Sequence, residues 1–106
     1  LLSDERFVEA RTRSLRHRFG AARIRFDLNR AGASAPLVEA AVREARVDEL
    51  DRARRVWQQR FGEPAADAAG RARQGRVLLA RGFEGAVVRR VLKEAGMAVP
   101  DEEIES

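Results

Sequence analysis

Arginine is the side chain with the most chemistry to offer in this sequence. Of the 21 basic residues, 20 are Arg and Lys93 is the one Lys. A guanidinium is a planar, permanently charged fork that pairs with carboxylates and phosphates, so acidic protein surfaces and nucleic acid are the partners such a set could hold. For any single Arg the alternative is that it merely solvates a helix. Other reactive groups are scarce. His17 is the single histidine, set among arginines in "SLRHRFG" with no second metal-ligand type beside it, and a structural or solvated role is expected for it. The acid pairs Asp4/Glu5 and Asp48/Glu49 fall at helix starts, where the macrodipole favours negative charge, and nothing marks them as a general acid–base pair. There is no Gly-rich phosphate loop with its Lys and no Ser in a nucleophile elbow. With no cysteine, disulfides and thiolate metal sites are excluded. The expectation is a non-enzyme that carries no cofactor and no metal.

The charge distribution says more than the net +4. Residues 1–32 hold eight Arg against four acids, and 65–97 hold seven basic residues against three acids. The middle is balanced at six and six, and the closing "PDEEIES" adds four acids. That tail, residues 98–106, is expected to be a disordered, solubilising end; folding back onto a basic band is the alternative. A chain of 106 residues has room for one domain or a short repeat array. It could bury roughly 65% of its unfolded surface, enough for a modest core and not for a deep enzyme pocket. No apolar run approaches the ~20 residues of a membrane span, and no signal peptide opens the chain. These features predict a soluble, cytoplasmic protein. The start "LLSDERF" lacks a Met and predicts the C-terminal part of a longer protein.

The elements that must position the arginines are helices throughout. Ser3 is expected to cap a first helix over 4–18, with Val8, Leu15 and Phe19 inward, Phe7, Ala10 and Ser14 beside them, and Gly20 stopping it in a left-handed conformation. A second helix over 21–31 puts Ile24, Leu28 and Ala31 on one stripe. Ser34 and Pro36 start a third, burying Leu37, Val38, Ala41, Val42 and Ala45. Then the order repeats. Helices are predicted over 47–60, carrying Val47, Leu50, Ala53, Trp57 and then Phe61, over 65–81 and over 84–95. Gly70 and Gly75 weaken the fifth, although Gly75 could instead admit a close neighbour. "RFG" closes both the first and the fourth helix, at an offset of 42. Leu28, Gly32, Leu37, Val38 and Val42 fall on Leu78, Gly82, Val87, Val88 and Leu92 at an offset of 50, with "EPAADAAG" absorbing the difference.

The fold expected is therefore all-α, with two tandem three-helix, helix-turn-helix-like repeats (1–45 and 46–97) in an elongated, curved stack. Each Gly hinge reverses the chain between the second and third helices, and stacking supplies the core that one triplet lacks. Stacks usually need three or more units, yet two are visible. Ala22 and Phe26 lie nearly opposite the Ile24/Leu28 stripe and are expected to pack on an adjacent unit, with partner binding by Phe26 as the alternative. On the first helix Arg6, Arg13 and His17 share a face, with Arg16 beside it and Glu9 interrupting. Arg23 and Arg30 sit on the wet side of the second helix, partly neutralised by Asp27. Arg71, Arg73 and Arg76 cluster on the fifth helix, Arg81 stands at the hinge, and Arg89, Arg90 and Lys93 continue on the sixth. "RIR" and "RQGR" then form two basic bands at regular spacing. The candidate partner-binding residues are Arg13, Arg16, Arg23, Arg30, Arg71, Arg73, Arg76, Arg81, Arg89, Arg90 and Lys93.

Three segments resemble a known family, the RecX regulators of the RecA recombinase. "LSDERFVEARTRS" (2–14) resembles the family's acid–acid–x–Arg–Phe–Ala entry into its middle repeat. "FGAARIRFDLNRAGAS" (19–34) is similar to its Gly–x–x–Arg–Ile–x–x–x–Leu–x–x–x–Gly segment, with Ala21 where the family often has Pro. "RVLLARGFEGAVVRRVL" (76–92) is similar to its closing Arg–Gly–Phe segment. The family usually has three such repeats, and the first is absent here. The resemblance implies a protein that binds in the helical groove of RecA–DNA filaments, limits filament growth and suppresses ATP hydrolysis, strand exchange and co-protease activity. It implies the RecA filament as partner, with weak phosphate contacts to single-stranded or duplex DNA, no membrane, and action as a monomer. The competing reading is a helix-turn-helix-type DNA-binding regulator. Against it, the arginines are spread over several helices with no Asn or Gln gathered on one recognition helix to read bases.

Overall fold

The computed structural model describes residues 4–97. Six helices follow one another, α1 (Asp4–Leu15), α2 (Ala21–Arg30), α3 (Ala35–Val47), α4 (Glu49–Arg60), α5 (Ala68–Ala80) and α6 (Gly85–Met97), with no strand among the described residues. The cap expected at Ser3 and the acidic tail 98–106 lie outside the described residues. Several helix ends fall inside the expected ones. α1 gives way at Leu15, whose carbonyl takes the N–H groups of both Arg18 (3.2 Å) and Phe19 (3.0 Å) in a tightened last turn. α4 starts at Glu49, after Asp48 leaves helical geometry at φ −116° and ψ 24°. α5 waits until Ala68 because Asp67 takes the cap position, its carboxylate accepting the Gly70 N–H at 2.8 Å. Ser34 does occupy the cap position of α3, but its hydroxyl makes no capping bond.

The two hinges are built alike. Gly32 (φ 85°) donates to Asn29 and Ala33 to Leu28, and Gly82 (φ 90°) donates to Leu79 and Phe83 to Leu78. This is the Schellman arrangement, in which a left-handed residue lets the last helical carbonyls be satisfied while the chain turns back. Only Gly enters that region without steric cost, which is why the offset of 50 preserves it.

Each triplet closes over its own apolar cluster. In the first, Val8, Ala21, Ile24, Leu28, Val38, Ala41, Val42 and Ala45 are buried together. In the second, Ala53, Val56, Trp57, Leu78, Phe83, Val88 and Val91 are. Trp57 keeps its indole N–H satisfied by Gln74 Oε1 at 2.9 Å, as a buried indole requires. The Gly75 position does admit a close neighbour: a Cβ there would stand 3.3 Å from Leu92 Cδ1 and 3.7 Å from Val88 Cγ1. The triplets are joined end to end into a shape more than twice as long as it is wide.

Several faces differ from the periodic reading. Phe7, Ala10 and Ser14 are exposed, and Thr12 is buried in their stead beside Val8. Ala31 is exposed because the hinge begins there. Val47 ends α3 just before the break at Asp48 and is 86% exposed, while Val56, on the inner face of α4, is buried. Ala22 and Phe26 do not pack on the second triplet: both side chains are exposed, Phe26 at 56%. Backbone meets backbone between the triplets there instead.

That contact explains why "RFG" ends two helices in two ways. At Gly62 the chain turns left-handed (φ 75°) and its N–H bonds Trp57 O within its own triplet. At Gly20 the backbone is extended (φ −88°, ψ 178°), contrary to the left-handed stop expected there. Its N–H goes to Arg81 O at 2.8 Å, and Ala22 N–H goes to Gly82 O at 3.1 Å. A Cβ on Gly20 would meet Gly82 O at 2.4 Å, and one on Gly82 would meet Arg23 Cβ at 2.4 Å. Glycine is required at both positions for close approach.

Candidate partner-binding surface

Three uncommitted arginines stand around the seam between α5 and α6. Small residues on α5 let α6 lie close, and a shallow groove of about 400 Å³ runs along the seam. Gly75, Leu79, Val88 and Leu92 contribute its apolar lining, and Arg71 and Arg76 from α5 and Arg89 from α6 stand around it. All three arginines are exposed, and none makes an ion pair with another described residue. Leu79 is 50% exposed, so an apolar contact is offered inside a ring of positive charge. Such a surface suits a partner that brings both a hydrophobic side chain and carboxylates or phosphates.

The other candidates divide into free and engaged. Lys93 and Arg30 are exposed, and Arg73 lines a separate recess beside Asp67 and Gln74. Arg13 lines an open cavity of about 690 Å³ between α1, α3 and α4. That cavity also holds His17, Arg16, Arg52 and Arg55 opposite Glu5, Glu9, Glu44 and Asp48, so its field is mixed rather than basic. Thr12 Oγ1 and Arg52 Nε, on the same cavity, have no hydrogen-bond partner among the described residues. Arg16 is held by both oxygens of Asp48 at 2.8 Å. Arg23 lies over the Phe19 ring at 4.7 Å. Arg81 donates to Arg18 O at 3.3 Å and also faces that ring, at 5.9 Å. Arg90 pairs with Glu94 at 3.1 Å.

The two basic bands are therefore unequal. "RQGR" stays exposed at Arg73 and Arg76, whereas "RIR" is consumed at home, Arg23 by Phe19 and Arg25 by Glu39. Hydrogen bonding to Glu39 raises the Arg25 pKa and lowers that of Glu39. Asp27, expected to neutralise Arg23 and Arg30, is bonded instead by Arg11 at 2.6 Å, which holds its carboxyl below the usual range, with Arg23 and Arg30 adding weaker support. On the second triplet Arg54 bonds Glu94 at 2.8 Å; that bond, helped by Arg90, brings the Glu94 carboxyl down to about 2 against a partial opposing effect of burial.

A polar junction between the triplets was not anticipated from the sequence. Glu49 is 3% exposed. One of its oxygens accepts the Ala21 N–H at 3.2 Å and the other the Glu84 N–H at 2.8 Å, so a single carboxylate serves the starts of α2 and α6, one from each triplet. Arg52, also 3% exposed, donates to Ala45 O at 2.6 Å and Phe19 O at 3.2 Å and is paired with Asp48. Burial opposes ionisation of Asp48, yet Arg16 and Arg52 outweigh it and its carboxyl lies below the ordinary value. Reading Asp48/Glu49 as a helix-start acid pair was correct in kind. The available signal was the spacing of Asp48 and Arg52 at i and i+4, which fits a pair on one helical face but does not say that the face is buried. Among the described residues no group of His, Cys, Asp or Glu is placed to hold a metal, and no described helix is long and apolar enough to cross a membrane.

Comparison with known proteins assigns the family. The family model described as RecX, second three-helix domain, matches residues 3–42, and that described as RecX, third three-helix domain, matches residues 47–92. A protein of Leptothrix cholodnii named Regulatory protein RecX is 46% identical over 94 residues, which are 89% of this chain and 60% of that protein. Proteins of the same name from Pseudomonas syringae pv. tomato and Ralstonia nicotianae are 41% and 36% identical over 99 and 100 residues, 91% and 94% of this chain and 63% of each of theirs. The chain thus spans about three fifths of the length of these relatives. No solved structure matches it at a significant level. Two family models in tandem order, on the two triplets that the hinges and cores define, place the chain in the RecX family of regulatory proteins.

Proposed function

We propose that this chain is a non-enzymatic regulator that seats in the helical groove of RecA–DNA filaments and restrains the recombinase: filament growth, ATP hydrolysis, strand exchange and co-protease activity. The observation that carries this reading is the α5–α6 groove, where Arg71, Arg76 and Arg89 stand uncommitted around exposed Leu79 on an elongated helical stack. A filament groove offers acidic protein surface and phosphate at once, and this groove suits both. Arg13, Arg30, Arg73 and Lys93 extend the basic field; Arg16, Arg23, Arg81 and Arg90 contribute through the contacts they already make. The protein acts as a monomer in the cytoplasm and needs no cofactor. DNA contacts are through phosphates and are secondary to the protein contact.

The test is RecA ATPase on single-stranded DNA, with this chain and with an Arg71→Glu/Arg76→Glu/Arg89→Glu variant. The parent chain is expected to suppress turnover and the variant to fail while keeping its helicity and melting temperature. Equal inhibition by both removes the groove from the mechanism. A helix-turn-helix DNA-binding regulator would instead bind duplex tightly and sequence-specifically without filaments, its affinity falling with salt at a slope of about −0.9 per phosphate. α6 carries no Asn or Gln for such readout.

A further inference from the structure

The open cavity of about 690 Å³ between α1, α3 and α4 is polarised along its length. Glu5 and Glu9 line it from the first turns of α1, and Arg13, Arg16 and His17 from the last turn and just past it. The pairing of Arg16 with Asp48 seats that later end against the junction of α3 and α4, where Arg52 and Arg55 join the wall. One end therefore gathers four arginines against Glu44 and Asp48, and the other presents the carboxylates of Glu5 and Glu9. Asp48 is already engaged by Arg16 and Arg52. Arg13 and Arg55 are exposed and make no ion pair with a described residue.

Two polar atoms of this wall are buried without a partner among the described residues, Arg52 Nε and Thr12 Oγ1. Their residues are 3% and 6% exposed. The two terminal nitrogens of Arg52 are engaged by Ala45 O, Phe19 O and Asp48, which leaves the Nε–H as the unused arm of the fork. An Nε–H only donates, and a hydroxyl can donate beside it, so the two together call for an oxygen acceptor, best a charged one. Keeping both unmatched and out of water costs stability, which an acceptor entering the cavity relieves.

We propose that this cavity is a docking site for an acidic segment of a partner protein, one carboxylate of which accepts from Arg52 Nε–H and Thr12 Oγ1–H between Arg13 and Arg55. Charge decides between protein and nucleic acid. A phosphodiester strand would carry negative charge past Glu5 and Glu9 as well. A peptide can instead present one carboxylate to the arginines, apolar side chains to Val8, Leu37 and Ala40, and a cation to the two glutamates. The site shares no residue with the α5–α6 groove and does not depend on what that groove binds.

The test is an NMR titration of the isotope-labelled 106-residue chain, read at the Arg52 Nε–H resonance. The probe is a terminally blocked peptide of lysine, leucine and glutamate, run beside inorganic phosphate and a single-stranded oligonucleotide. The peptide is expected to shift the resonance to saturation at millimolar concentration. Thr12→Val removes the hydroxyl at nearly constant volume and should weaken peptide binding at least about threefold. Its melting temperature should stay level or rise, because an unmatched buried hydroxyl has gone. Arg13→Gln/Arg55→Gln changes only exposed residues and should weaken binding about threefold or more. A resonance that stays in place under millimolar peptide leaves both atoms to water and overturns the proposal, as does peptide binding of parental strength in either variant. Phosphate or oligonucleotide that shifts Arg52 Nε–H as strongly as the peptide reassigns the cavity to a general anion or to nucleic acid and overturns the occupant named here.

Discussion

Replacing Glu49 by Ala is the most informative single perturbation of this molecule. Its carboxylate is the acceptor for two helix starts that belong to different triplets, Ala21 N–H at 3.2 Å and Glu84 N–H at 2.8 Å. Truncation orphans both donors, but not equally. Ala21 is 2% exposed, so water cannot replace the lost oxygen there. A buried donor left unpaired costs about 1–3 kcal/mol. Glu84 is exposed and its N–H can turn to solvent, so that loss resembles an ordinary missing cap of about 0.5–2 kcal/mol. Opposing both is the relief of no longer holding a carboxylate out of water, which two helix N-termini already offset in part. The net destabilisation is on the order of 2–3 kcal/mol. At about 4–8 °C per kcal/mol for a chain of this size, the melting temperature should fall by roughly 10–20 °C. Glu49→Gln keeps one acceptor oxygen and should fall about half as far. Far-UV circular dichroism follows both triplets, and Trp57 fluorescence follows the second. In the Ala variant the two transitions should separate, because the joint and not either core has been weakened. An Ala variant within about 0.5 kcal/mol of the parent, with the two transitions still coincident, would show that Glu49 does not hold the joint.

Other expectations follow from the same contacts. Gly20→Ala places a methyl 2.4 Å from Gly82 O at an ordinary φ of −88°, so its cost is purely steric; a loss of about 1–3 kcal/mol or more in urea is expected. Gly75→Ala meets Leu92 Cδ1 at 3.3 Å, the end of a half-buried side chain that can move, while helix propensity improves by about 1 kcal/mol. That variant should be neutral to slightly stabilising by thermal melt, in contrast to Gly20→Ala. Glu94, held down to about 2 by Arg54 with help from Arg90, contributes stability that is fully present above its ordinary value of 4.5 and is lost as pH falls through about 2. Because the group is solvent-accessible the contribution is about 0.2–1 kcal/mol, and Glu94→Gln should flatten the melting temperature between those two pH values without altering it by more than that at neutrality.

The helices themselves were legible because their signals are local. Apolar spacing marks the inner faces of α2 and α3 from Ile24 to Ala45, and the two left-handed hinges are readable from Gly32 and Gly82 alone. Legibility failed where a face depends on what a neighbour does. Val47 reads as a packing residue and is exposed because α3 ends there, before the break at Asp48, and Phe26 is exposed because the two triplets meet at Gly20 and Gly82 rather than through its face of α2. Gly20 reads locally as a left-handed stop and is extended instead, since close approach to a residue 62 positions away leaves no mark in local sequence.

A tandem of helical triplets, each reversed at a glycine, with an excess of arginine and little else to do chemistry, is written in the order of the residues. Helical period, turn chemistry and residue type are properties of neighbouring residues, so they survive without coordinates. Which arginines remain available is set by the folded arrangement of the helices. Arg11, Arg16 and Arg25 are neutralised by acids 16, 32 and 14 residues away, while Arg71, Arg76 and Arg89 make no ion pair with a described residue. A guanidinium advertises charge in the sequence, but whether that charge faces a partner depends on the carboxylates, carbonyls and rings that folding brings against it.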